Sequence, residues 1–144
     1  MGVDVNVNAT TFSISGIFGT NAGTGFTPGP FTNAGSGIVD VFGSFNQTVN
    51  GFDGYTRSAD TISFTLTDTS GTWASASDVL IANAAGFLAA THVFVTSFPA
   101  DASNIALGIG FAAGPGPSPA PEPATLALIG LGLAALAGYA GARK

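Results

Sequence analysis

The stretch DTISFTLTDTSG, residues 60–71, decides what kind of fold this chain can make. Ile62, Phe64 and Leu66 fall on alternate positions, with Thr61, Ser63, Thr65 and Thr67 between and around them. Successive side chains of a strand point to opposite faces, so a period of two gives one apolar face and one hydroxyl-bearing face. A helix would scatter the same residues around its circumference. Residues 68–71 then supply the Asp, Ser and Gly of a turn.

The same pattern spreads outward from this strand. Val3, Val5 and Val7 alternate with Asp4, Asn6 and Asn8, and TFSISGIF from Thr11 continues in that style. Residues 38–45 read as another strand, and residues 49–55 as a short one. GFLAATHVFVTSF, residues 86–98, is dense in β-branched and aromatic side chains, and NIALGIGFAAG, residues 104–114, forms a last, glycine-softened strand. TNAGTG at residues 20–25 is echoed by TNAGSG at residues 32–37, which suits two similar turns of a β meander. SASDVL, residues 75–80, predicts one or two turns of helix capped by Ser75 or Ser77, ending at residues 83–86. Short strands separated by Gly, Asn and Pro turns predict an all-β fold, a small antiparallel β-sandwich or open barrel with one short helix. Eleven of the twelve phenylalanines precede residue 101, and with Trp73 they supply a core.

Composition excludes several functions. The 144 residues carry a formal charge of -5, and Arg57 is the only Lys or Arg before the last two residues. A nucleic-acid partner needs clustered cations and finds none here. With no cysteine and a single histidine, His92, the chain lacks disulfides, thiolate zinc sites and cysteine nucleophiles, and a transition metal has almost no ligands. Catalysis would have to combine His92 with a Ser and an Asp, yet a histidine alternating with Val93 on a strand reads as structural. Calcium takes oxygen ligands, and Asp53, Asp60, Asp68, Asp78 and Asp101 lie in or near turns. No D-x-D-x-D-G loop is present, and turn aspartates ordinarily bond their own backbone. The expectation is therefore no enzyme, no cofactor and no metal. Asn8-Ala9-Thr10 and Asn46-Gln47-Thr48 match the N-x-T glycosylation pattern, read here as chance matches in an Asn- and Thr-rich chain. Trp73, Tyr55 and Phe98 are candidates for stacking on a polysaccharide, although the ordinary place for Trp73 is the core.

The last fifth of the chain changes character. GPGPSPAPEP, residues 114–123, places proline at almost every second position and predicts an extended spacer rather than regular structure. Residues 124–142 carry no charge, and Arg143 and Lys144 follow. As a helix, a stretch of that length covers about 28 Å, close to the hydrocarbon thickness of a bilayer. The basic pair predicts a cytoplasmic end, with everything before Pro123 outside. Gly130, Ala134, Gly138 and Ala142 recur every fourth residue, a small-residue face for helix packing. The expected organisation is a β-rich extracytoplasmic domain over residues 1–113, a Pro/Gly linker over 114–120 and a terminal signal over 121–144. MGVDVNVNATTF has neither a basic nor an apolar leader region, so an export leader is expected outside this chain.

The order of these last parts, PEPATLALIGLGLAALAGYAGARK, resembles the C-terminal sorting signal of PEP-CTERM proteins, in which a Pro-Glu-Pro box precedes a membrane-spanning helix and a basic end. Pro121, Glu122 and Pro123 match the box, residues 124–142 the helix, and Arg143 with Lys144 the end. The basic end is sparser than the Arg-rich ends frequent in that family. The resemblance implies processing near the box by an exosortase, a membrane-embedded cysteine protease or transpeptidase-like enzyme of Gram-negative bacteria. It further implies an exported protein, anchored in the inner membrane before processing and then found at the cell surface or in the extracellular matrix, associated with exopolysaccharide or biofilm. SFTLTDTSGTWASASDVL and AATHVFVTSFPADASNIALGIGFAAG look like the ectodomains of a subset of these proteins, a likeness that implies no activity. A carbohydrate-binding or calcium-dependent adhesion module is the alternative for the domain's own role.

Overall fold

Residues 2–20, 23–51 and 54–115 are described by a computed structural model. They form β1 (Gly2–Val5), β2 (Phe12–Thr20), β3 (Phe31–Val39), β4 (Gly43–Gly51), β5 (Thr61–Asp68), β6 (Phe87–Val95) and β7 (Gly108–Pro115). These build two antiparallel sheets, one of five strands in the order β3-β4-β1-β6-β7 and one pairing β2 with β5. The expectation of an all-β domain is met, although the chain is not a meander: β2 and β5 leave the larger sheet to pair with each other.

The period-two stretch is β5, with Ile62, Phe64 and Leu66 half-buried and Thr61, Thr65 and Thr67 exposed. Its partner β2 keeps an apolar face through a register shift between Ser15 and Phe18. Phe12 and Ile14 are half-buried at even positions, Ile17 at an odd one, and Gly16 at φ 60° absorbs the extra residue. A bulge of this kind is the cheapest way to change the phase of a strand without turning its apolar set to water.

Strand β1 lies at the centre of the larger sheet. It pairs through Val3↔Val49 and Val5↔Gln47 on one side and through Val3↔Thr91 and Val5↔Ala89 on the other. Beyond Val5 the ladder is continued by side-chain amides. The Asn46 Oδ1 accepts the Val7 N–H at 2.7 Å and its Nδ2 donates to the Val7 carbonyl at 2.8 Å. On the opposite side Val7 bridges to Leu80, with Asn8 N–H donating to the Val79 carbonyl and Ile81 N–H to the Asn6 carbonyl, both at 2.9 Å. Val7 and Val49 are the most completely enclosed large side chains. A second buried cluster joins Val39, Phe45 and Ala90, against which Phe42, Phe87 and Ala113 pack.

Four local expectations are corrected. Residues 38–45 are not one strand: the chain reverses at Asp40, Val41 and Phe42 to make the β3–β4 hairpin. The Asp40 carboxylate accepts the Val41 N–H at 3.0 Å, Val41 adopts φ 59° and Gly43 φ 87°. A β-branched residue at positive φ is strained, so periodicity alone points away from this turn. Second, residues 32–37 are no turn but lie within β3, whose register shifts on both sides of Gly35, itself at φ 72°. The Asn33 side chain accepts the Gly35 N–H at 3.1 Å and accommodates the irregularity. Third, residues 49–51 belong to the end of β4, while Tyr55 opens a 3-10 turn, Tyr55–Arg57. Fourth, the expected helix is reduced to one 3-10 turn, Ala76–Asp78; Ser75 stands at its N-cap, but its hydroxyl donates to the Asp78 carboxylate at 2.8 Å instead of capping backbone N–H groups.

Strand β7 runs on through Gly114 and Pro115, the first residues of the expected spacer; proline is tolerated because β7 is an edge strand. The remainder of that spacer, the terminal signal and the apolar stretch 124–142 lie outside the described residues. No helix among the described residues is long and apolar enough to cross a membrane.

Asn83, in place of ending a helix, closes the strained hairpin. Its Nδ2 donates to the carbonyls of Phe42 at 2.8 Å and Ser44 at 3.1 Å, while its Oδ1 accepts the N–H groups of Ala85 and Phe87, each at 3.0 Å. Asn83→Ala strands donors and acceptors on both sides and is expected to cost about 2–3 kcal/mol. Urea denaturation read by tryptophan fluorescence checks this, with Asn104→Ala, an exposed site, as the near-neutral control.

Candidate functional site

Two places in the chain carry candidate chemistry: a polar cleft on the β domain and the terminal signal. The cleft, about 470 Å³, is lined by Asn6, Asn8, Thr10, Asn46, Asp68 and Ser70 among others. Its amides are committed to the fold. Asn6 Nδ2 donates to the Ile81 carbonyl at 3.0 Å, Asn8 Nδ2 to the Asp78 carbonyl at 2.9 Å, and Asn46 is fully engaged with Val7. Trp73 is half-buried beside the cleft, its indole N–H donating to the Asn8 carbonyl at 2.7 Å. Both N-x-T asparagines are exposed residues whose amides donate to backbone carbonyls, and Thr48 of the second pattern donates its hydroxyl to Asp4.

The turn aspartates behave as turn formers. Asp68 Oδ1 accepts the Ser70 hydroxyl at 2.8 Å and the N–H groups of Ser70 and Gly71 at 2.8 and 3.0 Å. The Ser70 hydroxyl first, then its N–H, hold this carboxyl below its ordinary value. Asp101 accepts the Ser103 N–H at 2.8 Å, and this N–H first, then the Ser103 hydroxyl, hold its carboxyl below the ordinary value. Asp60 accepts the Thr20 hydroxyl at 2.7 Å, and Asp78 the Ser75 hydroxyl. Asp53 lies outside the described residues. Among the described residues no three His, Asp or Glu side chains gather where they could hold a metal ion.

His92 is placed on β6 opposite Phe111 of β7. Its ring stacks on Phe111 with centroids 4.9 Å apart and lies 5.0 Å from Phe94, which in turn meets Tyr55 edge-on at 5.8 Å; Tyr55 meets Phe26 at 5.1 Å. The structure therefore uses the imidazole and Tyr55 as members of one aromatic row. Phe98 is 99% exposed.

Three buried polar residues, Asp4, Gln47 and Ser58, escaped the sequence reading. Asp4, one residue of an apolar-polar alternation, is buried on the central strand, its carboxylate beside the Thr48 hydroxyl of β4 and close against Gly37 of β3. Burial pushes its carboxyl above the ordinary value, and the Thr48 hydroxyl pulls part of the way back. Ser58, buried after the Tyr55–Arg57 turn, has a hydroxyl with no hydrogen-bond partner among the described residues. It lines a cavity of about 170 Å³ with Phe26, Asp60, Phe94 and Thr96. Only the packing of the 3-10 turn against β6 brings these residues together, so no spacing signal exists to find them.

The signal residues Pro121, Glu122 and Pro123, the pair Arg143 and Lys144, and the small-residue face Gly130, Ala134, Gly138 and Ala142 all lie outside the described residues. Comparison with protein families places a PEP-CTERM protein-sorting motif at residues 119–144, so the chain carries this motif at the position the box, apolar stretch and basic end indicated. The motif marks an exported, exosortase-sorted protein, anchored at the membrane before processing. Neither a curated protein nor a solved structure matches the chain.

The domain's titration yields a signed expectation. Because the folded-state pKa of Asp4 is raised, the folded chain keeps a proton that the unfolded chain has released. The stability Asp4 contributes is present at low pH and lost as pH rises through its folded value. Asp4→Asn is therefore expected to gain melting temperature relative to the unmodified chain as pH rises from about 3 to about 7, checked by calorimetry at matched ionic strength. Ser58→Ala removes a buried, unpaired hydroxyl and is expected to stabilise by up to about 1 kcal/mol in urea unfolding.

Proposed function

We propose that this chain is a non-enzymatic envelope protein: a small two-sheet β-sandwich held at the outer face of the inner membrane by one C-terminal helix and released or transferred by an exosortase. The observation that carries this reading is the sorting motif at residues 119–144. Pro121, Glu122 and Pro123 form the recognised box. Neither proline has an N–H to donate and neither continues a helix, so the box presents an extended backbone to the processing enzyme. Residues 124–142 cross the bilayer, and Arg143 with Lys144 keep the end cytoplasmic. The box then sits at the outer interface, where a membrane-embedded enzyme reaches it. After processing, the domain joins the cell surface or the matrix, in association with exopolysaccharide.

The domain's own geometry supports a non-enzymatic role. His92 is a stacking partner of Phe111 and Phe94, and the amides facing the polar cleft are bonded to backbone groups. A carbohydrate-binding or calcium-dependent adhesion module is the second reading for the domain's own role; what favours the sorted-protein reading is the motif at residues 119–144.

Co-expression of the full chain with and without an exosortase tests the proposal by mass spectrometry of the C-terminus. The expected result is loss of the tail only when the enzyme is present, and an intact tail after Glu122→Ala or Pro123→Ala with the domain unchanged. An intact tail in both unmodified samples would sink it.

A further inference from the structure

Among the described residues strand β7 is an edge of the five-stranded sheet, hydrogen-bonded to β6 alone, so its outer side presents a row of backbone N–H and C=O groups with no partner among them. Such an edge is normally blunted by a bulge, a charge or a proline. The opposite edge, β3, is interrupted by register shifts on both sides of Gly35, and β2 carries the shift at Gly16. Strand β5 turns three exposed threonines outward. Between Gly108 and Gly114, β7 has none of these devices: it contains no charged residue and no proline, its one register shift falls at the Pro115 end, and Ile109 and Phe111 are 67% and 49% exposed. Exposed Val95 and Leu107 extend the apolar surface past the start of the strand.

Charge tells what covers it. The described residues hold the carboxylates of Asp4, Asp40, Asp60, Asp68, Asp78 and Asp101 against the single cation of Arg57, and Asp101 is the only one of these groups within residues 87–115. Two copies of so acidic a chain repel through most of their surfaces and meet at least cost where charge is absent. An antiparallel strand pair is self-complementary under a two-fold axis, which sets one central residue of β7 against its own equivalent and each flanking residue against the one equally far on the other side. We infer that β7 pairs with β7 of a second copy, joining two five-stranded sheets into one across a symmetric dimer, with Pro115 marking where pairing stops. The inference rests on this strand and not on the sorting reading, so either can fail alone.

The chain has no cysteine, which makes disulfide mapping direct. Single cysteines are placed in the full chain along β7 and at Ile38, a still more exposed apolar residue on the other edge strand. The protein is reconstituted in phosphatidylethanolamine–phosphatidylglycerol vesicles and oxidised. Self-cross-linking is expected at one central position, Phe111→Cys or Ala112→Cys. Positions two residues to either side should cross-link only to each other, and Ile38→Cys should not cross-link. Ile109→Lys, at an exposed position, should lower the cross-linked fraction about tenfold, the equivalent of ~1.4 kcal/mol, without altering the circular dichroism spectrum. Cross-linking at Ile38→Cys equal to that on β7, or at no β7 position, overturns the proposal. So does a monomer whose β7 cysteines are shielded from a water-soluble maleimide, since lipid or the chain's own tail would then be the cover.

Discussion

The five-stranded sheet depends on a strand of four residues. The hairpins β3–β4 and β6–β7 make no ladder with each other; β1 lies between them and pairs with both. Every long-range consequence follows from that insertion. Val3 and Val5 carry the register from β4 to β6, Asp4 is drawn into the interior beside Thr48, and Val49 is sealed from solvent. A central strand this short supplies few backbone hydrogen bonds, so its extension at Val7 is held by a side-chain amide on one side and an isolated bridge on the other.

Asparagine amides thus do structural work that longer strands would do with backbone. Asn46 completes the ladder at Val7, and Asn83 ties the hairpin with the strained Val41 to the start of β6. An amide has two donors and an acceptor with two lone pairs, enough to satisfy several main-chain groups at a point where strand geometry fails.

Some of this was legible before folding. The alternation in residues 60–71 located β5, and the β-branched density of residues 86–98 located β6, because a half-buried strand must place apolar side chains at every second position. The failures share one cause. Residues 38–45 keep the alternation through a reversal, since Val41 enters positive φ only because Asp40 and Asn83 hold the backbone there. Residues 32–37 look like a turn yet stay in β3, because the pairing with β4 tolerates a glycine bulge. A helix at residues 75–80 gave way to one 3-10 turn because the next residues are taken up by the edge of Asn6 and Asn8. In each case a long-range partner overrode a local preference.

The division between the two levels is physical. Sequence by itself determined the all-β class and the sorting motif, since side-chain period and a contiguous signal are properties of neighbours along the chain. Tertiary structure alone decided that β1 would be central, that Asp4 and Ser58 would be buried, that His92 would stack on Phe111, and that β7 would be left with an unblunted edge. Those depend on which strands find each other, and strand pairing joins residues far apart in sequence, whose meeting no local pattern encodes.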